Sequence, residues 1–245
     1  MHLQFVGCGD AFGSGGRFNT CFHLVGPGIN ALIDCGASSM VALSKLSIER
    51  NDIDVILISH FHADHVGALP SFLLEASLVR KRKRPLVVAG PPGLKARYGD
   101  LMHNSFPGTR DMTHSFPLTL HELEIRRRDA IGAMHVTPFH VLHDDRAGPC
   151  LGFRIEVDGK IIAYSGDTQW TDTLIELGHR ADLFICESYT RDKPIKTHMA
   201  LSELERRLGQ IRPKRLVLTH MSNDMLARRS EVQFETAEDG MIIEL

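Results

Sequence analysis

Residues 59–65 read Ser-His-Phe-His-Ala-Asp-His, which places four potential metal ligands (His60, His62, Asp64, His65) within six positions. The run follows VILIS at 55–59, a short β-branched pattern that suits a strand covered on both faces. It precedes a helix pattern from Asp64 to about Val79, with Val66, Leu69, Phe72, Leu73 and Ala76 on one face. A turn this polar between two apolar elements can converge only if the backbone folds around something. His60 and His62 alternate in an extended loop and lean toward one ion, while Asp64 and His65 open the helix and can serve a second. Imidazole with carboxylate suits zinc, then manganese or iron. A polar helix cap with coincidental histidines is the competing reading.

The rest of the chain alternates short strands with amphipathic segments. LQFVG (3–7), CFHLV (21–25), NALID (30–34), LVVAG (86–90), DLFIC (182–186) and RLVLT (215–219) read as strands. FRIEV (153–157) and KIIAY (160–164) flank Asp158-Gly159, a two-residue hairpin signal. A helix is expected over about 200–208 and a terminal strand within EDGMIIEL. This order predicts α/β layering, and 245 residues predict one domain spanning 1–245.

The five cysteines contain no CxxC pair, so they suit buried thiols in a reducing compartment rather than a zinc ribbon. MHLQFVGCGD lacks a signal-peptide pattern and no apolar run reaches 18 residues, so the expectation is a soluble cytoplasmic protein without a membrane partner. A formal charge of −2 argues against non-specific nucleic-acid affinity as the main activity. The basic run 80–84 (Arg-Lys-Arg-Lys-Arg) is read as a solvated helix end, with a nucleic-acid contact as the alternative, and Arg126–Arg128 is treated likewise.

Three later strand ends offer further ligands: His143, Asp167 and His220. His140 competes with His143, since two residues three apart in a strand cannot face the same way. His23, His103, His114, His121, His135 and His179 carry no motif and are read as structural or exposed.

HxHxDH, a later His, Ser-Gly-Asp-Thr after a strand and a final Thr-His together resemble the metallo-β-lactamase superfamily. VGCGDAFGSGGR, LIDCG and ADLFICES extend the likeness across nearly the whole chain, and HDDRAGPCLGFRI and GPPG are similar to its ribonuclease Z and phosphodiesterase branch. The resemblance implies a four-layer αβ/βα sandwich with two divalent ions, zinc by default. His60, His62 and His143 would hold one ion and Asp64, His65 and His220 the other, with Asp167 bridging. Asp64 would also be catalytic, His198 the general acid with Glu187 or Glu203 orienting it, and Asp34 a support for a ligand or a loop. Asp167 stands where zinc β-lactamases carry Cys, and His62 where flavodiiron relatives carry Glu, which disfavours lactam cleavage and redox chemistry.

Two cations sharing a hydroxide suit phosphodiester hydrolysis. Ribonuclease Z inserts a long tRNA-gripping arm between its third His and its bridging Asp. Here His143 and Asp167 are 24 positions apart, leaving room for little beyond a hairpin. The related phosphonate-pathway phosphodiesterase has a zinc-binding Cys cluster that this chain lacks. The leading expectation is therefore a metal-dependent hydrolase of a small or cyclic phosphodiester. A ribonuclease Z-like tRNA 3′ endonuclease, or a hydrolase of another ester such as a lactone or sulfate ester, is the alternative, and a non-catalytic metal-binding protein ranks last. The resemblance also makes RNA a candidate substrate and a homodimer a candidate assembly.

Overall fold

The computed structural model describes residues 1–245, the side chain of Ala147 excepted. Six strands build most of one sheet: β1 (His2–Gly7), β2 (Cys21–Gly26), β3 (Ile29–Ile33), β4 (Val55–Leu57), β5 (Leu86–Gly90) and β6 (Leu118–Glu122). Seven build the other: β7 (Asp129–Ile131), β8 (Met134–Val141), β9 (Cys150–Val157), β10 (Lys160–Tyr164), β11 (Leu183–Glu187), β12 (Leu216–Thr219) and β13 (Glu235–Thr236). The last strand, β14 (Ile242–Glu244), returns to the first sheet and pairs antiparallel with β1. The strand orders are β14-β1-β2-β3-β4-β5-β6 and β13-β12-β11-β10-β9-β8-β7.

Side-chain alternation along each strand sorts residues into two faces. Ala31 and Ile33 of β3 and Phe153 and Ile155 of β9 enter the core between the sheets. Leu32 faces the other way, onto α1 (Ser39–Lys45), α2 (Ala63–Val66), α3 (Leu69–Leu74) and α4 (Leu94–Ser105). Ala163 and Phe184 likewise pack under α5 (Thr173–Gly178), α6 (Leu201–Ile211) and α7 (Asn223–Ala227). Three apolar cores thus separate four layers, the αβ/βα sandwich. Among the described residues, no helix is long and apolar enough to cross a membrane.

Two expectations are corrected. The helix expected from Asp64 to Val79 is broken: α2 ends at Val66, α3 begins at Leu69 with Pro70 in its first turn, and 75–79 forms a π turn. The break lets α2 turn its own polar residues toward the site. The basic run 80–84 is not simply a solvated face, because Arg82 is buried. Its guanidinium donates to the carbonyls of Arg84, Asn51, Ile53 and Pro85 at 2.7–2.8 Å, binding the chain between π turn and β5 to the loop before β4. Arg80 pairs with Glu49 and Glu75, and Arg84 with Asp52 and Asp54. Arg126, Arg127 and Arg128 are similarly paired with Glu176, Glu124, Asp129 and Glu156.

Candidate metal centre

Both sheets present strand ends to one cleft. Asp34 follows β3, and His60, His62, Asp64 and His65 occupy the turn after β4 and the start of α2. His143 follows β8, Asp167 follows β10, Glu187 ends β11 and His220 follows β12. Two glycines permit the approach. A Cβ on Gly36 would lie 2.1 Å from the Asp64 carbonyl, so only glycine lets α2 sit against the end of β3. Gly166 (φ +61°) turns the chain into Asp167 where a Cβ would lie 2.4 Å from the Leu151 carbonyl.

Asp167 occupies the middle. Its Oδ2 is 3.1 Å from His220 Nε2, 3.2 Å from His65 Nε2, 3.9 Å from His143 Nε2 and 4.0 Å from His60 Nε2. Asp64 Oδ2 lies 3.3 Å from His65 Nε2, and His62 Nδ1 lies 3.0 Å from His143 Nε2. Ligand atoms of His60, His62 and His143 form one cluster, and those of Asp64, His65, Asp167 and His220 another.

Four of the five converging imidazoles, all but His62, are tied through their other nitrogen. His60 Nδ1 meets Ser59 Oγ at 3.0 Å, and His65 Nδ1 meets Asp34 Oδ2 at 2.8 Å. His143 Nδ1 donates to the Thr197 carbonyl at 2.8 Å, and His220 Nδ1 lies 3.4 Å from Thr20 Oγ1. Such partners fix ring orientation, leaving the Nε2 atoms of these four rings aimed inward. Asp34, fully buried, also accepts from Ser59 N (2.7 Å) and Oγ (2.8 Å) and from the Tyr164 hydroxyl (3.1 Å), which joins the two sheets behind the cluster.

The residues fit divalent cations. His60 Nε2, His65 Nε2 and Asp167 Oδ1 are buried without a hydrogen-bond partner. Leaving such groups unpaired costs about 1–3 kcal/mol each, whereas a cation would satisfy all three. Burial, and then the neighbouring His65, drives the His60 imidazolium well below the usual histidine range, so the ring is a neutral ligand. Burial opposes ionisation of Asp167, but His220 and His65 overcome it and hold the carboxyl well below the usual range. Burial disfavours charge on His65 too, yet Asp167, Asp64 and Asp34 outweigh it and raise that ring.

His198 stands at the side of the cleft. Its Nδ1 lies 3.1 Å from Glu187 Oε2, and the other Glu187 oxygen accepts from the Thr168 amide. Glu203, the alternative partner, instead pairs with Arg206 and Arg207 on the outer surface of α6. His140 also points away, with Nε2 2.8 Å from the exposed Asp145. Sequence reasoning missed Thr20, Ser59, Tyr164, Thr197 and Tyr189. Ser59 is adjacent to the ligand run, but nothing local marks the others.

A family model described as Anti-Pycsar protein Apyc1 matches residues 1–238. Among curated proteins, a ribonuclease Z of Agathobacter rectalis is 24% identical over 263 residues, covering 86% of this chain and 84% of that protein. The structure of human tRNase Z, short form, superposes with a TM-score of 0.79 at 26% identity, covering 100% of this chain and 99% of that one. Zn(2+)-bound PqqB from Methylobacterium extorquens shares the fold, with a TM-score of 0.79 at 16% identity and complete coverage of both chains. The chain therefore belongs to the Anti-Pycsar protein Apyc1 family, within the ribonuclease Z and phosphodiesterase branch of the metallo-β-lactamase superfamily, and is a metal-dependent hydrolase.

Proposed function

We propose that this chain hydrolyses a small or cyclic phosphodiester, with His198 as general acid. The broader activity is metal-dependent phosphodiester hydrolysis. The observation that carries it is the Asp167 carboxylate, whose Oδ2 lies within 4.0 Å of four inward-facing imidazoles from both sheets.

His60, His62 and His143 would hold one divalent ion and Asp64, His65 and His220 the second, with Asp167 between them. Zinc is the first choice because one set is all imidazole. When bound, such a pair supplies acidified water and neutralises charge on phosphate oxygens. The chain's own residues do the remainder. Asp64 lines the cleft and orients the attacking water, accepting its proton. His198 gives a proton from Nε2 to the leaving oxygen as its bond to phosphorus breaks, while Glu187 holds Nδ1.

Three features support a small substrate over a tRNA precursor. The cleft is about 220 Å³, below the usual range for drug-sized ligands. The 24 positions from His143 to Asp167 are largely consumed by a 3₁₀ turn and the β9–β10 hairpin, so no arm projects there. The arginines of both basic runs are spent on acidic or carbonyl partners. The ribonuclease relatives keep RNA as the second reading. The five buried free cysteines support a cytoplasmic location. We read the assembly as a homodimer, to be tested by sedimentation.

The direct test is hydrolysis of bis(p-nitrophenyl) phosphate after loading with zinc and, separately, manganese, followed by cyclic nucleotides and a tRNA precursor. Turnover lost in Asp167→Ala and extending to cyclic diesters supports the reading. Cleavage of the tRNA precursor alone overturns the small-substrate reading, and turnover of lactone or sulfate esters alone overturns phosphodiester chemistry.

A further inference from the structure

His198 has a single side-chain hydrogen bond, Nδ1 to Glu187 Oε2 at 3.1 Å. One bond places one nitrogen but leaves the ring plane free to swing about it. His198 also lies in the stretch between β11 and α6, outside any regular strand or helix. Something else must fix the plane if Nε2 is to meet a leaving oxygen within a few tenths of an ångström.

Two ring faces border His198: His220, with centroids 5.6 Å apart and an interplanar angle of 16°, and, closer, Tyr189. Its ring lies flat against His198, with centroids 4.6 Å apart and an interplanar angle of 24°. His143 meets His198 edge-on, at 4.9 Å and 67°. Tyr189 is itself held at both ends of its peptide. Its N–H donates to the Met199 carbonyl at 2.9 Å, and its carbonyl accepts from Ser222 N at 3.1 Å and Ser222 Oγ at 2.5 Å. It is thereby tied to the residue after His198 and to the turn just beyond His220. Tyr189 lines both the cleft and a neighbouring cavity of about 480 Å³.

We propose that Tyr189 is a positioning residue for the general acid: its ring face sets the plane of His198 so that Nε2 is aimed at the leaving oxygen. The inference rests on the reading of His198 given above. In hydrolysis, water oxygen bonds to phosphorus, the bond from phosphorus to the leaving oxygen breaks, and that oxygen takes a proton. A well-placed acid matters most when the leaving oxygen is basic and least when it departs readily as an anion. Misplacing the acid should therefore penalise poor leaving groups selectively, whereas a general loss of structure would penalise all alike.

The experiment compares kcat/KM of zinc-loaded wild type, Tyr189→Leu, Tyr189→Phe, Tyr189→His and His198→Ala on methyl p-nitrophenyl phosphate and methyl phenyl phosphate. Circular dichroism checks the fold of each. Tyr189→Leu should lose about 10- to 100-fold on the phenyl ester and far less on the p-nitrophenyl ester, with Tyr189→Phe and Tyr189→His restoring the phenyl rate through their flat rings. Equal losses on both esters in Tyr189→Leu overturn the inference, as does failure of both flat-ring variants to restore the phenyl rate. A selective loss in His198→Ala without one in Tyr189→Leu overturns the inference but leaves the acid in place. No selective loss in His198→Ala overturns the acid, and no wild-type cleavage of either ester overturns the function; either result removes the inference too.

Discussion

Asp34 Oδ2 and His65 Nδ1 meet at 2.8 Å between two completely buried side chains. The same carboxylate holds Ser59, which in turn bonds His60. One residue at the end of β3 therefore sets a ring in each of the two ligand clusters. Asp34 itself has φ +61°, a conformation that non-glycine residues adopt at a cost and that is concentrated at functional sites.

Asp34→Asn keeps the volume but removes the charge that steadies His65. The expected result is about a 10- to 100-fold weaker affinity for zinc, in line with other supports of metal-ligating histidines. Competition against a chromophoric chelator measures it, with Asp54→Asn on the surface as the unaffected control.

A pH profile reports on His198. Burial alone would lower this ring, but Glu187 and then the carboxylates of Asp167 and Asp64 raise it to about 9. An acid works protonated, so kcat on methyl phenyl phosphate should fall at alkaline pH as His198 loses its proton. Glu187→Gln removes the largest raising influence and leaves burial unopposed by it, so the falling limb should move toward neutral pH. A limb at the same pH in both proteins would assign it to another group.

Arg82 separates structure from nucleic-acid contact in the basic run. Arg82→Met strands several carbonyls that its guanidinium now satisfies, and should cost about 3 kcal/mol or more. Arg80→Met breaks pairs nearer the surface and should cost no more than about 1 kcal/mol. Urea unfolding of both variants measures the difference.

Thr197 combines a β-branched side chain with φ +79° while its carbonyl holds His143 Nδ1. Thr197→Gly should relieve the backbone and stabilise the fold by about 0.5–1 kcal/mol, or about 1–4 °C in Tm. Thr197→Val keeps the branch and should gain nothing. Differential scanning calorimetry distinguishes the two.

What could be read along the chain was what depends on neighbours in sequence. Asp158 and Gly159 do join β9 to β10 with φ of +49° and +71°, as a two-residue hairpin of that composition requires. The segment 118–141 carries three strands that no pattern announced. Pro138 inside β8 argues against a strand, yet it lies beyond the pairing with β7, which ends opposite Val136, so no ladder hydrogen bond is lost on that side. The gathering of Thr20 to His220, Ser59 to Asp34 and Thr197 to His143 depends on contacts up to 200 residues apart, which local patterns do not encode.

The mirrored strand orders have a consequence for synthesis of the chain. The first half supplies His60, His62, Asp64 and His65, and the second supplies His143, Asp167 and His220, while β14 comes back to close the first sheet against β1. A polypeptide halted anywhere before His220 owns neither a complete second cluster nor the edge strand that covers β1. Hydrolytic capacity thus arrives only once His220 has been made, and products halted short of it carry none.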